Sequence, residues 1–121
     1  VRRLMQWLGG NEGVYLDFFA GSGTMAQAVL EQNAEDGGNR RFLLVQLPEP
    51  CPRDSVAAQN GCQTIADICK ERVRRVIARL RAEHAPVSTD DLGYRVFKLD
   101  TSSVEESPRS GGEQRKVREV K

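Results

Sequence analysis

The sequence is poor in the residues from which metal centres and disulfide frameworks are built. Of its 121 residues only one is histidine and three are cysteine. Cys51, Cys62 and Cys69 form no closely spaced pair, so the ligand spacing of zinc-binding motifs is absent. We therefore expect no metal site, and free thiols in a reducing cytosol, with Cys69 on the buried face of a helix.

Other absences narrow the class of protein further. No apolar run approaches the roughly 20 residues of a membrane span, and no signal peptide is visible. The formal net charge of +1 indicates neither a strongly basic nucleic-acid binder nor an acidic tail. The length suits one modest domain. The chain starts at Val1, which we interpret as the start of a fragment, with an unusual start codon as the alternative. No two of the prolines are adjacent: Pro48, Pro50, Pro52, Pro86 and Pro108.

What the chain does have is a strand, a glycine turn and a helix in immediate succession. The apolar run Val14–Phe19 predicts a buried strand. Gly21 and Gly23 remove two side chains from the turn, so that backbone can come close to a ligand. Thr24 or Ser22 can cap the helix that follows. Asp17, at the end of the strand, can accept a hydrogen bond from a ligand amine.

The rest of the chain predicts an α/β unit. Its periodicity indicates helices at 3–8, 24–33 and 64–81 and strands at 14–19, 41–47 and 94–99. Such an order predicts three parallel strands in the spatial order 3-2-1, with flanking helices and the ligand at their C-terminal ends. The polar segment 101–121 should be a disordered tail, which leaves 1–100 as the folded domain. The loop 51–63, which has a possible short helix at 54–59, is interpreted either as a lid or as an irregular connection.

Two surface features have two interpretations each. Trp7 is assigned to packing in a core or interface, with a cofactor contact as the alternative. The helix 64–81 has a basic face that could follow phosphates, or that is simply solvated, with Glu71 pairing with Arg75. That face consists of Lys70, Arg72, Arg74, Arg75, Arg79 and Arg81.

The glycine turn also resembles a known motif. Asp17-Phe18-Phe19-Ala20-Gly21-Ser22-Gly23-Thr24 is similar to the cofactor motif of the S-adenosylmethionine-dependent DNA amino-methyltransferases of the permuted kind. Four downstream segments resemble the modification subunit of type III restriction–modification systems: 33–42, 45–50, 64–68 and 70–72. The resemblance covers roughly Arg3 to Asp100.

The resemblance implies a partial Rossmann-like methyltransferase fold and an activity. The cofactor would be S-adenosylmethionine, and the reaction methyl transfer to the N6 amino group of adenine in DNA. The implied partners are DNA, a restriction subunit and a second modification subunit, in the cytoplasm and with no membrane. The implied cofactor-binding residues are Asp17, Phe18, Phe19, Ala20, Gly21, Ser22, Gly23, Thr24 and Gln46.

The roles of Gln46 and Asp100 in ligand binding each have more than one interpretation. Gln46 occupies the position of the acid that normally binds the ribose hydroxyls, and an amide can still hydrogen-bond them. Asp100 could reach the adenine edge of the cofactor or could cap a turn. No Gly-Lys-Ser/Thr follows the glycines, which excludes a Walker loop. NAD remains an alternative ligand because Ala26 is a tolerated variant of the third glycine.

The family's catalytic motif, Asp/Asn-Pro-Pro followed by an aromatic residue, is absent from the 121 residues. In the permuted order it precedes the cofactor motif, so no catalytic residue is assigned here. Without its neighbouring strand, Val14–Phe19 would be an apolar edge. We expect the isolated chain to be marginally stable, to bind cofactor weakly and not to methylate DNA. The alternative is a non-catalytic nucleotide-binding or dimerising fragment.

Overall fold

A computed structural model describes residues 1–8, 10–83, 92–101 and 115–120. The helices are α1 (Arg2–Leu8), α2 (Thr24–Asp36), α3 (Val56–Gln59) and α4 (Ile65–Glu83). The strands are β1 (Glu12–Asp17), β2 (Asn39–Leu44), β3 (Val96–Thr101) and β4 (Arg115–Val120). The order helix, strand, helix, strand, helix that the sequence predicts is therefore confirmed up to α4, with shifts of a few residues at the element ends.

Strands β1 and β2 form a two-stranded parallel sheet, connected by α2. Glu12 pairs with Asn39 at one end of the register and Asp17 with Leu44 at the other. A parallel pair needs a crossover between the strands, and α2 supplies it. The helix ends at Gly37, whose φ of 68° is the left-handed conformation that glycine adopts readily.

Among the described residues, helices cover one face of this sheet and leave the other face bare. Successive side chains of a strand point to opposite faces. Tyr15, Phe42 and Leu44 are partly buried against the helices, whereas Leu16 and Leu43 are exposed on the other side. The structure thus contains half of the layering typical of a doubly wound α/β protein.

The core lies between α2, α4 and the covered face of the sheet. Its larger cluster joins two helices and consists of Ala26, Leu30, Val73, Val76, Ile77 and Leu80. A smaller cluster joins α1 to α2 through Met5, Ala28 and Val29. Cys69 is buried, as the sequence predicts. Trp7 is not part of the core, because 90% of its surface is exposed. The prediction that Trp7 packs in the core is therefore wrong, because Met5 and Trp7 lie on different sides of the short helix α1 and the Met5 side contacts the core.

Helix α4 begins with a capping box that the sequence contains as Thr64-Ile65-Ala66-Asp67. The Asp67 amide donates to Thr64 Oγ1 at 3.2 Å, and the Thr64 amide donates to Asp67 Oδ2 at 3.0 Å. The Thr64 hydroxyl thereby gives the Asp67 amide an acceptor in addition to the Thr64 carbonyl, and the Asp67 carboxylate accepts from the Thr64 amide, which precedes the helix. Lys70 and Thr64, in that order of effect, lower the pKa of Asp67 to about 2.

Arg40 is a buried cation at the start of β2. Its guanidinium donates to both carboxylate oxygens of Asp36, at 2.9 and 2.8 Å, and to Asn33 Oδ1. These bonds hold the pKa of Asp36 well below its usual range, because they favour the charged carboxylate against the effect of its partial burial. Within the described part of the chain, the Nε of Arg40 is the one buried side-chain polar atom without a partner.

The structure differs from two predictions, because the third strand does not join the parallel sheet and part of the predicted disordered tail forms the strand β4. Strand β3 pairs antiparallel with β4 in a separate sheet, in which Phe97 lies opposite Glu119 and Asp100 opposite Lys116. The tail has a strand-forming segment because valines recur at 117 and 120 among its charges, and strand propensity depends on the partner that a segment meets. Residues 102–114 of the predicted tail lie outside the described residues.

In the described ranges no helix is long and apolar enough to cross a membrane. Among the same residues no group of three or more metal-ligating side chains comes together.

Candidate functional site

The glycine turn lies at the C-terminal ends of the two parallel strands, where the sequence places it. The Asp17 Oδ1 atom accepts a hydrogen bond from the Phe19 amide at 3.0 Å. The Gly23 amide donates to the Ala20 carbonyl at 2.8 Å, and the Ala20 amide donates to the Val45 carbonyl at 3.1 Å. The turn is therefore folded back on itself and tied to the end of β2.

The two glycines of the turn have different surroundings. Both have positive φ angles, 52° at Gly21 and 82° at Gly23. A Cβ on Gly21 would meet only the Phe19 carbonyl oxygen, at 3.8 Å, so the space beside it is open. A Cβ on Gly23 would lie 2.9 Å from Cys69 Sγ and 3.4 Å from the Cys69 carbonyl oxygen. Gly21 thus leaves room on the outside of the turn, and Gly23 allows α4 to pack against it.

The N-terminus of α2 has no side-chain cap. Gly23 occupies the N-cap position and no side chain bonds to the first turn, so capping by Thr24 or Ser22 is wrong. The left-handed backbone at Gly23 explains this, because a capping side chain normally projects from an extended N-cap residue. The first amides of α2 remain without an intrahelical partner, next to the open space at Gly21. Backbone donors at such an end favour negatively charged groups.

Gln46 bridges the glycine turn and the end of β2. Its Oε1 accepts a hydrogen bond from the Gly21 amide at 2.7 Å, and its Nε2 donates to the Leu47 carbonyl at 3.1 Å. The side chain is partly buried. The structure therefore brings Gln46 into contact with the motif, although 25 residues of sequence separate it from Gly21.

The remaining motif residues divide by exposure. Ala20 is buried, and Ser22 is partly buried. Phe18 and Phe19 are exposed, at 63% and 90% of their surface. Two adjacent phenylalanines in water form an apolar rim beside the turn. Asp100 belongs to β3 and hence to the second sheet, so it does not extend the edge formed by β1 and β2.

A surface groove lies on the α1 side of α2, and of the motif residues it is lined by Thr24 alone. It is shallow, has a volume of about 460 Å³, and is lined by Val1, Arg2, Arg3, Thr24, Gln27, Ala28, Glu31 and Arg72. The groove and the hydrogen-bonded turn therefore lie at different positions on the surface. Of the two we assign the site to the turn, because its polar groups converge there, whereas the groove is an open depression between two helices.

A polar network beside this groove joins α2 to α4, and sequence reasoning missed it. Arg72 donates to Gln27 Oε1 at 3.1 Å, Gln27 donates to Glu31 at 2.9 Å, and Glu31 also accepts from Arg79. Partial burial raises the pKa of Glu31, but the bonds from Gln27 and Arg79 lower it by more. No sequence signal reveals these pairs, since Arg72 and Gln27 are 45 residues apart.

The basic face of α4 is largely paired. Glu71 forms ion pairs with Arg74 at 2.8 Å and Arg75 at 2.7 Å, as the solvated interpretation of this face expects. Lys70 pairs with Asp67 at 2.7 Å. The pairing satisfies these charges within the helix and supports the simpler of the two interpretations.

Comparison with known proteins identifies the family. The chain is 39% identical over 101 residues to the Mod subunit of the type III restriction-modification enzyme StyLTI of Salmonella typhimurium. This alignment covers 84% of the chain. It is 37% identical over 99 residues to the Mod subunit of EcoP15I of Escherichia coli, which covers 82% of this chain. The chain belongs to the family of type III Mod subunits. No protein-family model matches it.

The matches place the chain as a small part of a Mod subunit. The aligned segment spans 15% of the StyLTI Mod subunit and 14% of the EcoP15I Mod subunit. A shorter match, 38% identical over 65 residues and covering 54% of this chain, is to the type II methyltransferase M.KpnI of Klebsiella pneumoniae. The type III resemblance that the sequence predicts from the motif and its downstream segments is thus confirmed.

Proposed function

We propose that this chain is the S-adenosylmethionine-binding part of a type III Mod subunit. Joined to the rest of the enzyme, it would serve methyl transfer to the N6 amino group of adenine in DNA. The similarity to Mod subunits and to a type II methyltransferase supports the reaction class. The single observation on which the site rests is the hydrogen bond from Gly21 to Gln46, which joins the ends of both parallel strands at one open turn.

The groups at the turn fit the cofactor. Asp17 Oδ1 holds the Phe19 amide, and among the hydrogen bonds of the described residues none uses Oδ2, which is free for an amine or a hydroxyl. Gln46 Oε1 has a second lone pair for a ribose hydroxyl. The exposed ring of Phe18 offers an apolar surface beside the open space at Gly21. When bound, the cofactor would supply an electrophilic methyl group, and these residues would orient it.

The proposed binding residues therefore have distinct tasks. Asp17 and Gln46 supply polar contacts, and Gly21, Ser22 and Thr24 supply the turn and the start of α2. Phe18 and Phe19 supply the apolar rim. Ala20 and Gly23 hold the turn against β2 and α4, since both are buried. The catalytic Asp/Asn-Pro-Pro motif and the DNA contacts would come from the rest of the enzyme, and the restriction subunit and a second Mod subunit would bind there.

A titration followed by ¹H–¹⁵N NMR tests the proposal, because it detects weak binding and locates it. We expect S-adenosylmethionine to shift the amide signals of Gly21, Ser22 and Gln46 saturably, with a dissociation constant on the order of 1 mM. NAD serves as the control ligand and should leave these signals in place. Equal shifts with NAD, or shifts confined to the groove beside α1, would contradict the proposed site.

Two variants of Asp17 separate ligand binding from turn formation. Asp17→Asn keeps an oxygen that accepts from the Phe19 amide but removes the charge. Asp17→Ala removes both. We expect the asparagine variant to keep the free-state spectrum of the turn and to bind the cofactor several-fold more weakly. The alanine variant should also shift the Phe19 amide signal in the absence of ligand.

The bare face of the β1–β2 sheet favours a second candidate, a dimerising fragment without catalysis. Val14, Leu16 and Leu43 are exposed on that face. An apolar sheet surface of this kind is typical of an interface. Sedimentation at rising concentration distinguishes the candidates, because a specific dimer gives one larger species, whereas an incomplete enzyme domain gives a broad range of aggregates.

A further inference from the structure

The backbone bonding between the two parallel strands continues past their ends. The Val45 amide donates to the Asp17 carbonyl at 2.8 Å, and the Ala20 amide donates to the Val45 carbonyl at 3.1 Å. The next amide of the turn, that of Gly21, is bonded by a side chain, the Oε1 of Gln46 at 2.7 Å. Gln46 thereby extends the ladder by one bond into the glycine turn.

An amide side chain suits both ends of this bridge. The Gly21 N–H is a donor and requires an acceptor, and the Leu47 carbonyl is an acceptor and requires a donor. These partners fix the amide with its oxygen towards Gly21. A carboxylate at the same position could accept from Gly21 but would face the Leu47 carbonyl oxygen with an oxygen of its own. Glutamine is therefore matched to the local backbone, independently of any ligand.

We propose that Gln46 is a positioning residue, which holds Gly21 in its left-handed conformation at the end of β2. Glycine has no side chain to restrict it, and the open surroundings of Gly21 impose no steric restraint. The hydrogen bond from Gln46 supplies the restraint instead. The acceptor for a ribose hydroxyl and the backbone of the turn then move as one unit. This last consequence rests on the proposed function, whereas the positioning role does not.

Amide hydrogen exchange at Gly21 tests the positioning role without any ligand. Gln46→Leu removes both hydrogen bonds, and we expect the Gly21 amide to exchange about fivefold faster or more, the effect of losing one such bond. Gln46→Glu keeps the acceptor but loses the donor to Leu47, so it should retain part of the protection of Gly21. The matched control is Gln63→Leu, because Gln63 has an exposed side chain outside the turn. The amide of Leu30 in the core reports whether a variant has lost global stability.

Two results of the exchange experiment would overturn the positioning role. The first is unchanged Gly21 exchange in Gln46→Leu. The second is a loss of protection in Gln46→Glu that equals the loss in Gln46→Leu while Leu30 stays protected. Either result would show that the acceptor oxygen does not restrain the turn.

Titration with S-adenosylmethionine tests the consequence for the cofactor. We expect Gln46→Leu to weaken binding about tenfold and the control variant to leave it unchanged. Faster Gly21 exchange with unchanged affinity would refute the link between the turn and the ribose contact. If the unaltered chain does not bind the cofactor, the proposed function fails, and the exchange at Gly21 still decides the positioning role.

Discussion

The Cα of Gly23 lies so close to Cys69 that a methyl group there would stand 2.9 Å from the sulfur. The contact joins the glycine turn to the first half of α4, and so links the candidate site to the helix that supplies Val73, Val76, Ile77 and Leu80 to the larger core cluster. Glycine at position 23 is therefore required both by the backbone conformation of the turn and by the packing of α4 against it.

Alanine at position 23 should therefore destabilise the fold more than alanine at another left-handed glycine. Gly37 is the matched control, because its φ is 68° and a Cβ there would meet nothing within 4 Å. Gly37→Ala should cost about 1–2 kcal/mol for the left-handed backbone alone. Gly23→Ala should cost about 2–5 kcal/mol, since overpacking adds to the backbone term. Urea unfolding measures both, and equal losses would refute the contact.

The capping box of α4 gives stability a defined dependence on pH. The lowered pKa of Asp67, about 2 against an ordinary value of 3.8, means that the folded state prefers the charged carboxylate. Its contribution to the free energy of unfolding is complete above pH 4 and is lost as the pH falls through 2. We expect Asp67→Asn to flatten the pH dependence of stability in this window. The control is Asp54→Asn, at an exposed aspartate, which should leave the profile unchanged.

Thr64→Ala removes the hydroxyl of the same capping box. We expect it to lower the free energy of unfolding by about 1 kcal/mol, the usual cost of losing a helix N-cap. Thermal unfolding measures the loss. Thr64→Ser, which keeps the oxygen that accepts from the Asp67 amide, should restore most of it. A serine variant as unstable as the alanine variant would show that the methyl group of Thr64, rather than its hydroxyl, stabilises the helix start.

Helix α1 offers a matched pair of large side chains, one buried and one exposed. Met5 is 1% exposed and packs against Val29, whereas Trp7 is 90% exposed. Met5→Ala should cost about 2–5 kcal/mol, and Trp7→Ala should change stability by less than about 0.5 kcal/mol. Trp7 fluorescence should be readily quenched by iodide. Protection of Trp7 from iodide at low protein concentration would contradict this arrangement of α1.

Leu16 and Leu43 are paired across β1 and β2 on the bare face of the sheet. Replacing both with threonine introduces β-branched, strand-compatible residues and removes apolar surface from water. We expect self-association to fall while the midpoint of urea unfolding stays nearly constant. Light scattering over a concentration series measures the first quantity. A large loss of stability would mean that these leucines already pack against something within the chain.

The sequence predicted the order of the elements up to α4 and the place of the glycine turn between β1 and α2, because local signals specify both. The apolar run Val14–Phe19, the glycine turn and the periodic face of α4 each depend on residues close together in the chain. The similarity of the turn to a family motif also survived comparison with known proteins. Contact between Gln46 and the turn was expected only through a ligand, whereas the structure shows a direct bond to Gly21.

The predictions from sequence failed where the structure depends on contacts between segments that are far apart in the chain. The sequence of β3 is compatible with either sheet, and only the partner strand β4 decides that it pairs antiparallel. The sequence could not distinguish the surroundings of Gly21 from those of Gly23, because the difference depends on the position of Cys69 in the folded chain. The bonds of Arg72 to Gln27 likewise exist only after α4 has packed on α2.

The bonds between Asn33 and Arg40 bear on the order in which the chain folds. Asn33 bonds both the carbonyl and the amide of Arg40, so the end of α2 and the start of β2 are joined across a seven-residue separation. Short loops of this kind close early and at little entropic cost, whereas the β1–β2 pairing must wait until the whole of α2 lies between its partners. We therefore expect the end of α2 and the start of β2 to come together before β1 pairs with β2.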